Sequence, residues 1–220
     1  MEGSQITVGY WKIRGLVRHI QLVAAYCGAD INYVSYEQGD APDFSREVWT
    51  SVKFNLGLDF PNLPYLQEGD FNLSETLAII QYIVEKFKPE LGGETLQEKA
   101  TVNMLGMVAH GAKSCTRFCY MQDDPQKVVD EGIAGLQTLE TYLGDKTYLL
   151  GEKICWVDIY LYELINLITA CDKDGKCSEA IPNLLKLHTT VAEVPEIKAY
   201  LSSDKCLDLP FNNKSAKINP

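Results

Sequence analysis

The stretch Asn55-Leu56-Gly57-Leu58-Asp59-Phe60-Pro61-Asn62-Leu63-Pro64-Tyr65-Leu66 carries two prolines, one glycine and apolar residues on both sides. Tyr65-Leu66-Gln67 reads as a strand, and Pro64 stands just before it. Proline donates no ladder hydrogen bond, so it is confined to strand starts and edges. A cis Leu63–Pro64 bond would turn the chain sharply there. Such a turn aims main-chain N–H and C=O groups outward, where an extended peptide-like ligand can pair with them. An ordinary proline-punctuated loop is the other reading of the stretch taken alone.

Working outward, Gln5-Ile6-Thr7-Val8-Gly9-Tyr10 alternates and is β-branched, as a first strand should be. Residues 16–27 carry apolar side chains at the helical period, and Gly28 stops them. Ile31–Tyr36 alternates again, giving a strand-helix-strand unit. Residues 46–53 predict a short helix containing Trp49. After the proline stretch, Glu68-Gly69-Asp70 is a hairpin turn, and Phe71-Asn72-Leu73 is the return strand. Ser74-Glu75-Thr76 opens a helix over residues 77–87, with a Ser or Thr N-cap expected. Lys88 through Glu94 holds one proline and two glycines without periodicity, which marks a boundary. Beyond it the pattern is helical, over 95–121, 127–143, 156–170, 182–192 and 195–202, with an irregular tail from 207. The domains expected are 1–88, a linker 89–94, and an all-helical 95–220.

The chain has 220 residues, enough for a sizeable core. Its formal net charge of −10 argues against non-specific nucleic-acid binding, which needs a basic footprint. The seven cysteines form no CxxC pair, and Cys115 and Cys119 lack a second ligand pair for zinc. No metal is expected. Lys12, Arg14 and Arg18 interrupt the only candidate leader, and no stretch suits a membrane span. Free thiols in a reduced, cytoplasmic compartment are expected.

The β-α-β-α-β-β-α order, the proline before the third strand and the helical second half resemble the cytosolic glutathione transferases. The match is closest to their mu class. Gly9-Tyr10-Trp11-Lys12-Ile13-Arg14-Gly15-Leu16 looks like that class's opening motif. Gly39-Asp40-Ala41-Pro42-Asp43 with Arg46, Trp49 and Lys53 looks like its second. Residues 54–66 look like its extended loop. The resemblance spans the chain but is sharp over about residues 8–85. It implies a thioredoxin-like first domain, an all-helical second one, and no prosthetic group.

The co-substrate so implied is glutathione. A free thiol of pKa about 8.5 is only a few per cent thiolate at neutral pH, so the enzyme must favour the anion. A hydroxyl aimed at sulfur does this by bonding the charged form better. Tyr10 ends the first strand, where open α/β sheets bind ligands, and the resemblance makes it that donor. A packed or interface tyrosine is the bland alternative. By resemblance Arg46, Trp49 and Lys53 take the glycyl carboxylate, and Leu63 beside Pro64 pairs with the cysteinyl main chain. Asn62 adds a contact. Glu75 and Thr76 take the γ-glutamyl end, where helix N–H groups favour an anion. Trp11 and Leu16 complete the glutathione set. Trp11, Ile13, Leu16, Tyr120 and Phe211 would line an apolar second-substrate pocket, with core packing as the alternative for each.

Phe60, aromatic at the apex of a Gly/Pro loop, would fill an apolar pocket of a second copy and make a homodimer. Three departures from the mu pattern stand out. Glu75-Thr76 replaces Gln-Ser. No acidic residue lies between Lys99 and Gln122, where mu enzymes carry an aspartate. Cys155 replaces the hydroxyl of a capping box with Asp158, at a cost of about 0.5–2 kcal/mol. His110 is left without a role. The activity expected is conjugation of the glutathione thiolate to hydrophobic electrophiles, in detoxification. A glutathione-dependent isomerase or peroxidase, a carrier of apolar ligands, and a thioredoxin-like redox protein are the competing readings. The last needs a thiol where Tyr10 stands.

Overall fold

The structure, a computed structural model, describes residues 4–220. The first three residues of the expected first domain lie outside the described residues. The first half runs β1 (Ile6–Trp11), α1 (Val17–Cys27), β2 (Ile31–Tyr36), α2 (Glu47–Thr50), β3 (Tyr65–Glu68), β4 (Phe71–Ser74) and α3 (Thr76–Phe87). A 3₁₀ turn, Pro89–Gly92, follows. Then come α4 (Leu96–Ala112), α5 (Phe118–Met121), α6 (Pro125–Leu143), α7 (Trp156–Cys171), α8 (Lys176–Ala180), α9 (Pro182–Ala192) and α10 (Pro195–Leu201).

The sheet order is β2-β1-β3-β4. β1 pairs parallel with β2, while β3 runs antiparallel to both β1 and β4. This is a thioredoxin-like sheet, entered by the α1 crossover and closed by the Gly69 hairpin. Ile6, Val8 and Tyr10 point to one face by strand alternation. There α1 and α3 pack on each other, burying Ile20, Leu66, Ile79, Ile80 and Ile83. Gly9 points to the other face, where a Cβ would stand 2.2 Å from the Tyr65 ring. Only glycine lets Tyr65 pack there, so one missing side chain shapes the β1–β3 seam.

α7 is the axis of the helical half. Thirteen of its sixteen residues are buried, so it is apolar all round rather than amphipathic. It packs against α1, α4, α6 and α9 and thereby joins the halves. Its N-terminus is held by Asp158, which accepts from the Cys155 N–H at 2.8 Å and the Leu149 N–H at 2.9 Å. The Thr95/Glu98 capping box starts α4.

Two local expectations are corrected, and one short helix was not expected. The helix expected over 95–121 tightens into a 3₁₀ segment, Lys113–Arg117, and restarts as α5. Ala112, Cys115 and Phe118 are all buried at a spacing of three, which suits three residues per turn. The α3 cap also differs. Ser74 Oγ donates to the Phe60 carbonyl at 2.8 Å instead of capping, and Thr76 is the first helical residue. Finally, α8 carries no apolar period. It is fixed by Asp172, which accepts from the Lys176 and Cys177 N–H groups.

Candidate active site

Tyr10 is the penultimate residue of β1, with its side chain buried against the turn that leads into α1. A Cβ on Gly15 would stand 2.7 Å from the Tyr10 ring and 2.9 Å from its hydroxyl, and Gly15 has φ +37°. The Tyr-x-x-x-x-Gly spacing therefore lets the chain fold back over the phenol. Burial pushes the Tyr10 pKa up to about 12, while the Leu16 N–H pulls the other way. The phenol is a proton holder, suited to donating a hydrogen bond rather than to titrating.

The loop after β1 is stitched from both sides. Arg14 N–H donates to the Pro210 carbonyl and Gly15 N–H to the Phe211 carbonyl. The Arg14 guanidinium lies 3.7 Å over the Phe211 ring and pairs with Glu163 of α7. Phe211 is thus buried beneath Arg14. Tyr120 is about one-third exposed, and its hydroxyl accepts from the Asn213 N–H at 3.1 Å. Trp11, Ile13 and Leu16 frame the same end of β1, with Ile13 buried and Trp11 and Leu16 half-buried.

Across the sheet edge, the Leu63–Pro64 bond is cis. Leu63 and Pro64 are buried just before β3, while Asn62 stays exposed. Asn62 Nδ2 donates to Glu75 Oε1 at 3.3 Å, so the proline turn and the start of α3 meet. Glu75 has φ 77°, a strained conformation for a residue with a side chain. The start of α3 has no side-chain cap, which leaves its N–H groups available to an anion.

Trp49 of α2 is buried, edge-on to Tyr36 and stacked on Tyr65. Tyr36 and Tyr65 share a 2.9 Å hydroxyl hydrogen bond that fixes this wall. Arg46 precedes α2 and Lys53 follows it. Neither makes an ion pair among the described residues. Phe60 is 77% exposed on its loop, and α4 exposes Met104, Met107 and Val108 at helical spacing. His110 bonds the Tyr160 hydroxyl at 2.9 Å, and burial lowers its pKa, so it is a neutral packing partner.

Sequence reasoning assigned no role to Arg14 or Glu163, and in the tail it named only Phe211. Glu163 offered the one signal, a charge in the middle of an otherwise apolar helix. The pairing itself spans too much sequence to be read from spacing.

The glutathione S-transferase N-terminal domain profile matches residues 6–85, and the C-terminal domain profile matches residues 112–204. Mouse glutathione S-transferase Mu 4 is 37% identical over 215 residues, covering 96% of this chain and 97% of its own. The chain belongs to the Mu class of the glutathione S-transferase family. Glutathione S-transferase Mu 1 of Macaca fascicularis is 36% identical, with 96% and 97% coverage. Human glutathione S-transferase Mu 3 is 34% identical, with 97% and 95% coverage. Among solved structures, the transferase Blo t 8 superposes with TM-score 0.80 at 22% identity, over 97% of this chain and 100% of that one. The Onchocerca volvulus Pi-class enzyme gives 0.77 at 22% identity, over 96% and 99%. The thioredoxin-like and helical halves are thus those of a transferase that uses glutathione as co-substrate. The family carries no prosthetic group. No His, Cys, Asp and Glu cluster suited to a metal occurs among the described residues. Nor is any helix among them long and apolar enough to cross a membrane.

Proposed function

We propose that this transferase binds glutathione across the cleft from α2 to the start of α3 and holds its sulfur as an anion at Tyr10. The thiolate then attacks a hydrophobic electrophile. The observation that carries this is the Tyr10 phenol, buried at the end of β1 with its proton held to a pKa of about 12. A donor that keeps its proton stabilises a neighbouring anion without competing for the charge. The glycyl carboxylate sits with Arg46, Lys53 and the Trp49 indole. The cysteinyl main chain pairs with Leu63 beside the cis Pro64 as an added strand. Asn62 orients Glu75, whose carboxylate takes the glutamyl ammonium. Thr76 and the uncapped α3 N–H groups take the glutamyl carboxylate.

The second substrate lies against Trp11, Ile13 and Leu16, with Tyr120 at the rim and Phe211 as backing. Its role is detoxification of apolar electrophiles in the cytoplasm. Two copies assemble with Phe60 of one seated at the exposed apolar face of α4 of the other, since an exposed aromatic anchor and an exposed apolar helix face together fit a buried interface. The functional division falls at residues 89–94, between a glutathione-binding 1–88 and a helical 95–220. The test is direct titration of enzyme-bound glutathione by thiolate absorbance. The thiol is expected to ionise at least one pH unit below its free value of about 8.5. An unshifted titration would remove Tyr10 from this role.

A further inference from the structure

A cavity of about 800 Å³ lies between α1, β2 and α10, bordered by the segment that leads from α10 to the tail. It meets the proposed cleft only at the end of β1, through Tyr10, Trp11 and Ile13. Its size is that of a small-molecule site. Val17, Ala24, Tyr33 and Leu209 give it apolar walls.

Among the described residues, three buried side-chain polar atoms lack a hydrogen-bond partner: Arg18 Nε, Gln21 Oε1 and the Tyr200 hydroxyl. Two of the three belong to this one cavity. Gln21 and Tyr200 line the cavity from α1 and α10. Tyr200 has the Cys206 thiol nearby but no hydrogen bond of ordinary geometry. Arg18 stands one turn before Gln21. Its other two nitrogens hold Cys206 Sγ and the carbonyl of Leu207, itself a lining residue. An unpaired buried polar atom costs about 1–3 kcal/mol. Orphans scattered at random would be packing faults, but orphans converging on one hollow mark what its contents supply.

The chemistry of these two atoms narrows those contents. Gln21 Oε1 only accepts, and the Tyr200 hydroxyl donates or accepts. One hydroxyl group satisfies an acceptor and a donor together. Asp30, Glu196 and Asp204 line the cavity against a single Lys205, so the mouth disfavours anions. We propose that this cavity binds a neutral, largely apolar molecule bearing a hydroxyl group, alongside the Tyr10 cleft rather than within it.

The test is fluorescence titration of the full chain with 1-hydroxypyrene at neutral pH, with saturating S-hexylglutathione present. Pyrene and pyrene-1-sulfonate serve as comparison probes. One 1-hydroxypyrene is expected to bind per chain. Ala199→Trp, at an exposed lining position of α10, should fill the cavity and weaken binding at least tenfold. Ala25→Phe, from the α1 side, is the second filling variant. Gln21→Leu should weaken 1-hydroxypyrene about five- to tenfold, the effect of one lost hydrogen bond, and leave pyrene within about twofold. Full displacement by S-hexylglutathione, or indifference to both filling variants, overturns the site. Equal or tighter binding of pyrene-1-sulfonate overturns the neutral class. Absence of saturable binding means the hollow holds water only, and overturns the proposal. The filling variants localise the site by themselves, so the result stands whatever the Tyr10 cleft binds.

Discussion

Arg14 and Glu163, 149 positions apart, meet in a two-pronged ion pair, Nε to Oε1 at 2.9 Å and Nη2 to Oε2 at 2.7 Å. The Glu163 side chain is 3% exposed and the Arg14 side chain 23%. Removing one partner of such a pair strands the other charge. Glu163→Gln should lose about 2–4 kcal/mol of stability, the lower part of the buried-pair range because Arg14 keeps some water. Urea denaturation reads the loss. Turnover should fall too, since the loop that places Tyr10 loses its anchor.

Tyr10→Phe should lower kcat/KM about 10²–10³-fold, the effect of deleting one donor to an anion. The pH profile gives a second readout. In the parent, kcat/KM should rise with pH through the ionisation of the bound thiol and then stay level. With the phenol pKa near 12, no descending limb is expected below about pH 11. In the variant the rising limb should move up toward the free-thiol value of about 8.5. An unmoved limb would show that the phenol does not set the thiol's ionisation.

Arg46→Ala and Lys53→Ala should each raise the KM for glutathione about 5–30-fold, a loss of about 1–2 kcal/mol of charge-assisted bonding. Their kcat should stay near the parent's, because a carboxylate remote from sulfur is held equally in ground and transition states. A fall in kcat with unchanged KM would count against the assignment.

Asp158 gives a stability prediction with a sign. Burial raises its carboxyl pKa to about 6, against an ordinary 3.8. A raised acid pKa means the folded state holds the proton more tightly, so this stability is full below about pH 4. It is lost as pH rises through 6, by about 3 kcal/mol at most. His188, half-buried and lowered to about 4 by desolvation, works in the opposite sense: its contribution is lost as pH falls below about 6.5. Comparison with Asp158→Asn separates the two. Between pH 4 and 7.5 the difference in stability between parent and variant should shift against the parent as pH climbs. A constant difference would refute the Asp158 assignment.

Phe60→Ser should weaken self-association at least 30-fold, the effect of losing an anchor of about 2 kcal/mol. Sedimentation across a micromolar concentration series measures it. An unchanged dimer, or a parent that is monomeric throughout, would overturn the interface.

The strands, their order along the chain and the Leu63–Pro64 turn were legible because each rests on local chemistry: alternation, proline's missing donor, and an Asp/Gly hairpin. Tyr10 was legible as a position, the end of a strand before a Gly-bearing turn. Its burial beneath Gly15 was not. The break at Lys113 escaped because a 3₁₀ segment and an α-helix share most of their apolar pattern over a single turn. The α3 cap was misread because Ser74 had a competing acceptor, the Phe60 carbonyl, that no local spacing announces. Phe211 could be named but not oriented. Its place under Arg14 follows from a tail folding back across the molecule, which is a tertiary fact.

The two main-chain bonds from Arg14 to Pro210 and from Gly15 to Phe211 bear on modularity. The phenol's perch is completed by residues almost at the opposite end of the polypeptide. An excised sheet half would keep its strands yet lose the scaffold around Tyr10, so that setting could not be grafted by moving the half onto another protein. Recombination between relatives would have to exchange the opening loop and the closing segment together.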